Sequence, residues 1–213
     1  MFVIAVVSYL LGSIPFGYLL VRIVRGEDVR QTGSGNIGAT NVARTGSKWL
    51  AIATLMLDAL KGYVAVFHVF FFAGHHPDHL PQFGPHTVHI LAALAGFFAI
   101  VGHMFPVWLR FKGGKGVATS VGAFLGIAPA AVLVCLVAFA VVVGVTRYVS
   151  LGSILGAAVF PIAAWWLNPA TRDAAVMVFI VASSLLIITR HKDNIGRLLA
   201  GNENRFGGRK DGA

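Results

Sequence analysis

The chain has 213 residues, 57% of them hydrophobic and 12% charged, with a mean hydropathy of +0.79. Soluble domains carry about 25% charge, so this composition excludes an ordinary soluble globular protein and indicates an integral membrane protein built from helices. A formal net charge of +9 would suit nucleic acid in a soluble chain, but the membrane setting and the lack of aromatic-rich basic patches exclude that partner.

Met1 to Leu20 is apolar, without a basic leader or a small-residue cleavage site, and reads as a retained first span, Phe2 to about Val24. Pro15, within Gly12-Ser13-Ile14-Pro15-Phe16-Gly17, removes a backbone donor and kinks that span. A polar link at 22–48 carries Arg22, Arg25, Arg30, Arg44 and Lys48. Trp49 to Phe72 is the second span, followed by a polar link with His75, His76, His79, His86 and His89. Thr87 to about Phe105 is the third. The run at 117–147 is too long for one span and is divided by Ala128-Pro129 into a short fourth helix and a fifth, Ala130 to Val145. Leu151 to Leu167 makes the sixth and Ala174 to Thr189 the seventh, before a polar tail with Arg190, Lys192, Arg197, Arg205, Arg209 and Lys210. The single cysteine, Cys135, lies in an apolar run and forms no intramolecular disulfide.

The expectation is therefore one all-α polytopic domain, 1–213, of about seven transmembrane helices. With seven spans, every Lys and Arg except Lys61 and Arg172 falls on one side. The positive-inside rule makes that side cytoplasmic, with the N-terminus outside and the C-terminus inside. A five-span arrangement with 117–147 re-entrant keeps the same sidedness. Asp58 and Lys61, one turn apart and about 14–18 Å into the second span, read as an ion pair fixing the bundle.

Three stretches on the cytoplasmic side, 33–44, 102–120 and 190–203, are unusual for helix flanks. The first, Gly33-Ser34-Gly35-Asn36-Ile37-Gly38-Ala39-Thr40-Asn41 with Arg44, matches the GxGxxG spacing but follows no strand, so it is no dinucleotide loop. Its glycine, hydroxyl and amide groups suit oxyanions; the alternative is an exposed linker. The second, GHMFPVWLRFKGGKGVATS, threads Gly113, Gly114 and Gly116 between Lys112 and Lys115 and can open a helix after Gly116. That is a phosphate-site construction without the Walker pattern; the alternative is a basic flank. In the third, RHKDNIGRLLAGNE, Arg190, Asn194 and Arg197 are spaced to share a helical face, and His191 and Asn194 to look inward; the alternative is a tail attracted to anionic lipid.

Together, in this order and spacing, the three stretches resemble the motifs of the bacterial acyl-phosphate-dependent glycerol-3-phosphate acyltransferases, the PlsY family. Gly12-Ser13-Ile14-Pro15, Asp58 to Gly62 and the overall length extend the resemblance over most of the chain. It implies acyl transfer from acyl phosphate to the 1-hydroxyl of glycerol 3-phosphate in a cationic pocket open to membrane lipid, in the bacterial inner membrane and facing the cytoplasm. On that reading Ser34, Arg44, Lys115, His191 and Asn194 are catalytic. Asn36, Asn41, Lys112, Gly113, Gly114, Gly116, Arg190, Arg197 and Glu203 bind substrate or phosphate, with Glu203 orienting a cation. No metal or other cofactor is implied, since Glu27, Asp28, Asp193, Glu203 and Asp211 are too scattered for a Mg²⁺ cage.

No Ser-His-Asp or Cys-His order stands out, and the HxxxxD pattern of acyl-CoA-dependent enzymes is missing: Trp108 follows His103 by five residues and Gly196 follows His191 by five. His103, expected to be structural, and His191 are the candidate bases, and a substrate phosphate oxygen is the alternative. A transporter for a phosphorylated solute remains the rival class, as does a metal-binding role for the outer histidines, which match no motif of the family.

Overall fold

In the computed structural model the described residues are 1–79 and 86–207, and all their secondary structure is helical. Arg209, Lys210 and Asp211, counted above, lie outside them. The helices form two compact units, Met1–Ile127 and Ala128–Ala213.

The first unit contains α1 (Phe2–Ser13), α2 (Phe16–Arg25), α3 (Ala39–Ala43), α4 (Lys48–His75), α5 (Thr87–Met104) and α6 (Val117–Leu125). The kink expected at Pro15 is a full break: Pro15 has no N–H, and Ile14 N turns back to the Leu11 carbonyl at 3.3 Å. Tyr9 ties α1 to the end of α5 by donating to the Phe105 carbonyl at 2.7 Å. Asp58 and Lys61 meet at 2.7 Å, both side chains almost wholly buried. α6 lies backbone-close against α4: a Cβ on Gly62 would strike the Thr119 carbonyl, and one on Gly122 the Ala59 carbonyl. Helices in lipid gain little from apolar burial against one another, so such close packing of small residues holds them together.

The second unit contains α7 (Pro129–Thr146), α8 (Val149–Leu167), α9 (Ala174–Arg190) and α10 (Lys192–Leu199). Pro129 opens α7, where its missing N–H has no helical acceptor to lose. α7 buries only Ala131 and Val132, while Leu133, Val137, Val141 and Val145 point outward, as on a helix bathed in hydrocarbon. Asp173 starts α9 by accepting from Ala175 N and Val176 N.

Among the described residues, five stretches are long and apolar enough to cross a membrane: Phe2–Arg25, Lys48–His75, Thr87–Leu109, Pro129–Thr146 and Val149–Leu167. α9 and its continuation α10, bent by 54°, pass the same test only when the pair is taken as one span. α6, the short fourth helix of the seven expected, has only nine residues and falls below the length of a full span. Nine residues rise about 14 Å, roughly half the hydrocarbon thickness.

Candidate active site

The link at 22–48 is a folded structure. Val29, Ile37 and Val42 bury into a small core with Val21, Leu50 and Leu109. Asn41, 2% exposed, ties the loop together. Its Nδ2 donates to the carbonyls of Val29 (2.9 Å), Thr32 (3.0 Å) and Asn36 (2.7 Å), and its Oδ1 accepts from Ser34 N (2.8 Å) and Ser34 Oγ (3.2 Å). Asn41 is thus a frame residue, with its amide fully engaged, rather than the ligand donor the sequence suggests. Asn36 Oδ1 accepts from Gly38 N at 2.8 Å and shapes the entry to α3. Gly33 has φ +58, and a Cβ there would run into Asn41 Oδ1, so glycine is required twice over. The frame presents Ser34 and Arg44 on the surface, and Arg44 forms no ion pair among the described residues.

The glycine loop is a tight hairpin. Arg110 and Phe111 both take left-handed backbone, φ 52 and 63, which reverses the chain. Gly113 N then donates to the Met104 carbonyl and Gly114 N to the His103 carbonyl, each at 3.1 Å. These two amides are engaged within the loop, which corrects the expectation that they face an oxyanion. What the hairpin presents is Lys112, exposed, and Lys115, half-buried, with Gly116 at φ +82 leading into the first turn of α6. The leading N–H groups of that turn have no helical acceptors.

In the third stretch the helix bends by 54° at His191, between α9 and α10. Arg190 therefore does not share a continuous helical face with Asn194 and Arg197, contrary to the spacing argument. His191 is 2% exposed and its Nδ1 lies 2.7 Å from the Ile187 carbonyl. A carbonyl only accepts, so Nδ1 carries the hydrogen and the neutral ring has its lone pair on Nε2. Asn194 and Arg197 converge on Glu203: Asn194 Nδ2 donates to Oε1 at 2.7 Å and Arg197 Nε to Oε2 at 2.7 Å. Ser150, at the start of α8, donates to Oε1 at 2.9 Å. Burial would raise the Glu203 carboxyl, but the hydrogen bonds from Asn194, Arg197 and Ser150 outweigh it and hold the group below its ordinary value.

Sequence reading missed Ser150, which stands outside the three stretches. It also missed the tail strap, where Phe206 N donates to the Arg147 carbonyl at 2.7 Å and Arg147 Nε to the Phe206 carbonyl at 3.0 Å. A polar cleft of about 540 Å³ beside α2, lined by Tyr18, Arg22, Gly26, Glu27, Asp28, Gln31 and Thr32, was not foreseen either. Among the described residues no three His, Cys, Asp or Glu are grouped to hold a metal.

These features define a helical integral membrane protein whose polar links are built structures presenting cations. A family model described as glycerol-3-phosphate acyltransferase matches residues 2–201. The glycerol-3-phosphate acyltransferase of Allorhizobium ampelinum is 47% identical over 203 residues, 94% of this chain and 90% of that protein. That of Rhodopseudomonas palustris is 48% identical over 205 residues, 96% and 95% of the two chains. The crystal structure of PlsY (YgiH), an integral membrane glycerol 3-phosphate acyltransferase, in its glycerol 3-phosphate form matches with a TM-score of 0.80 at 35% identity, over 97% of this chain and 95% of that one. Its lysophosphatidic acid form matches with a TM-score of 0.77 at 33% identity, over the same shares. The chain belongs to the glycerol-3-phosphate acyltransferase family, in its PlsY branch.

Proposed function

We propose that this chain moves a fatty acyl group from acyl phosphate to the 1-hydroxyl of glycerol 3-phosphate, yielding lysophosphatidic acid and inorganic phosphate for phospholipid synthesis. The reaction takes place at the cytoplasmic face of a bacterial inner membrane, in a protein with its N-terminus outside and its C-terminus inside. The observation that carries this reading is the pairing of family membership with Ser34, Arg44, Lys112 and Lys115 presented on backbone that satisfies its own polar groups. Such cations suit phosphates, arginine as a fork and lysine as a point charge.

Acyl phosphate is a mixed anhydride, so no enzyme nucleophile is required. The 1-hydroxyl oxygen attacks the acyl carbonyl carbon, the carbon–oxygen bond to phosphate breaks, and phosphate departs with the electron pair. Arg44, Lys112, Lys115 and Arg190 or Arg197 neutralise the phosphates, and Ser34 holds an oxygen of the substrate. Asn194, oriented by Glu203, supplies a further polar contact. The hydroxyl proton passes to a phosphate oxygen of bound substrate, whose second pKa lies near 6; His191 Nε2 is the competing acceptor.

The test is purified protein with glycerol 3-phosphate and either acyl phosphate or acyl-CoA, following lysophosphatidic acid. Turnover with acyl phosphate alone is expected. Turnover only with acyl-CoA refutes the donor assignment, and no turnover but solute uptake into liposomes points to a transporter.

A further inference from the structure

The Gly113–Gly114 turn packs against the Nε2 edge of the His103 imidazole. A Cβ on Gly114 would fall on His103 Nε2, with Cε1 and Cδ2 at 2.8 and 2.9 Å. His103 is itself 3% exposed, and its Nδ1 stands 3.5 Å from Asp58 Oδ1. The same carboxylate oxygen meets Lys61 Nζ at 2.7 Å. Lys61 in turn donates at 2.8 Å to the Ile14 carbonyl at the α1–α2 break, and its Nζ lies 5.6 Å from the Phe16 ring centre.

One buried polar chain thus runs from the break in the first span, through α4, to the ring that carries the glycine hairpin. Ionisable groups in hydrocarbon are costly, and apolar packing would join the helices as well. A fixed polar chain supplies what apolar packing does not: a defined orientation for the imidazole. Because the Gly113 and Gly114 amides bond to the Met104 and His103 carbonyls, the hairpin follows His103 as one piece.

We propose that Asp58, Lys61 and His103 are positioning residues that set the height and tilt of the Gly113–Gly114 turn, and through it the place of the Lys115 ammonium against substrate phosphate. This rests on the reading of Lys115 given above.

The test uses the full chain in nanodiscs, Cys135→Ala, with a spin label on Phe111→Cys, which is exposed at the hairpin tip. His103→Ala and Asp58→Asn are expected to raise the mobility of the label. Both are also expected to raise KM for glycerol 3-phosphate roughly 10–100-fold with a smaller change in kcat, the usual scale of misplacement, and His103→Asn to recover part of the loss. A merely structural role lowers the folded fraction and apparent kcat, leaving KM and the spectrum of folded protein unchanged; that result overturns the proposal. If His103→Ala does not fold, Gly114→Ala presses on the same contact from the loop side. Gly114→Ala is expected to raise KM more than the Gly114→Ala/His103→Ala pair, and equal losses overturn the proposal. Lys115→Ala separates the two readings. A mobile label with KM unmoved overturns the inference when Lys115→Ala does raise KM. If Lys115→Ala also leaves KM unmoved, the mobile label upholds positioning of the hairpin and the Lys115 reading falls instead.

Discussion

Replacing Glu203 with glutamine tests whether the third stretch is held by one carboxylate. Oε1 accepts from Asn194 and Ser150, and Oε2 from Arg197. A glutamine has one oxygen, so its NH₂ must confront either Arg197 or Asn194, both donors. The Arg197 side chain is 37% exposed, so after solvent screening its bond is worth about 0.5–1 kcal/mol. The two bonds to the buried oxygen drop from charged to neutral strength, about 1 kcal/mol each. The total is about 3 kcal/mol, or about 6–12 °C in apparent Tm for a chain of this size. Glu203 is held below its ordinary value of 4.5. Its contribution is therefore present above that pH and is lost as pH falls through the lower folded-state value. Tryptophan-fluorescence melts of the purified protein should show the gap between parent and Glu203→Gln at pH 7 and its closure below the ordinary carboxylate range. A variant that melts within about 1 °C of the parent at pH 7, with full activity, would refute the role of Glu203 as the hub.

Lys115→Ala and Arg44→Ala should each lower kcat/KM by about two decades or more, because a charge-assisted bond to an oxyanion is worth about 1.5–3 kcal/mol, whereas Lys48→Ala should do little. Equal, small losses in steady-state kinetics would mean that the basic residues serve orientation only. If substrate phosphate is the base, His191→Gln should lose clearly less than His191→Ala, with KM bearing much of the change. A fall of about three decades in kcat for both, with glycerol 3-phosphate still bound, would make His191 Nε2 the base. In a Cys135→Ala background, cysteines near Gly35, Gly113 and Asn202 should resist impermeant thiol reagents outside intact cells while one near His79 labels; the reverse pattern would invert the topology.

The helical architecture was legible where a residue type forces a local outcome. Pro15 cannot donate, so the first span breaks there; Pro129 opens α7; and Asp58 and Lys61, three residues apart in an apolar run, had to pair. Spacing says nothing about which partner an amide chooses. Asn41 looks the same on paper whether it holds a ligand or, as here, three carbonyls and Ser34. Gly113 and Gly114 likewise read as an open nest until the left-handed pair at Arg110 and Phe111 folds them onto Met104 and His103. The bend at His191 defeated the face argument because the sequence around it contains no proline. Ser150 was out of reach, being 53 residues from the carboxylate it serves.

The central claim is that the acceptor hydroxyl attacks carbon. Glycerol 3-phosphate carrying ¹⁸O in its 1-hydroxyl, incubated with acyl phosphate and the purified full-length protein, tests this when both products are weighed by mass spectrometry. The account predicts that the label remains in the ester of lysophosphatidic acid and that one unlabelled phosphate is released per ester formed. Label in the released phosphate, or phosphate released without lysophosphatidic acid, would contradict it.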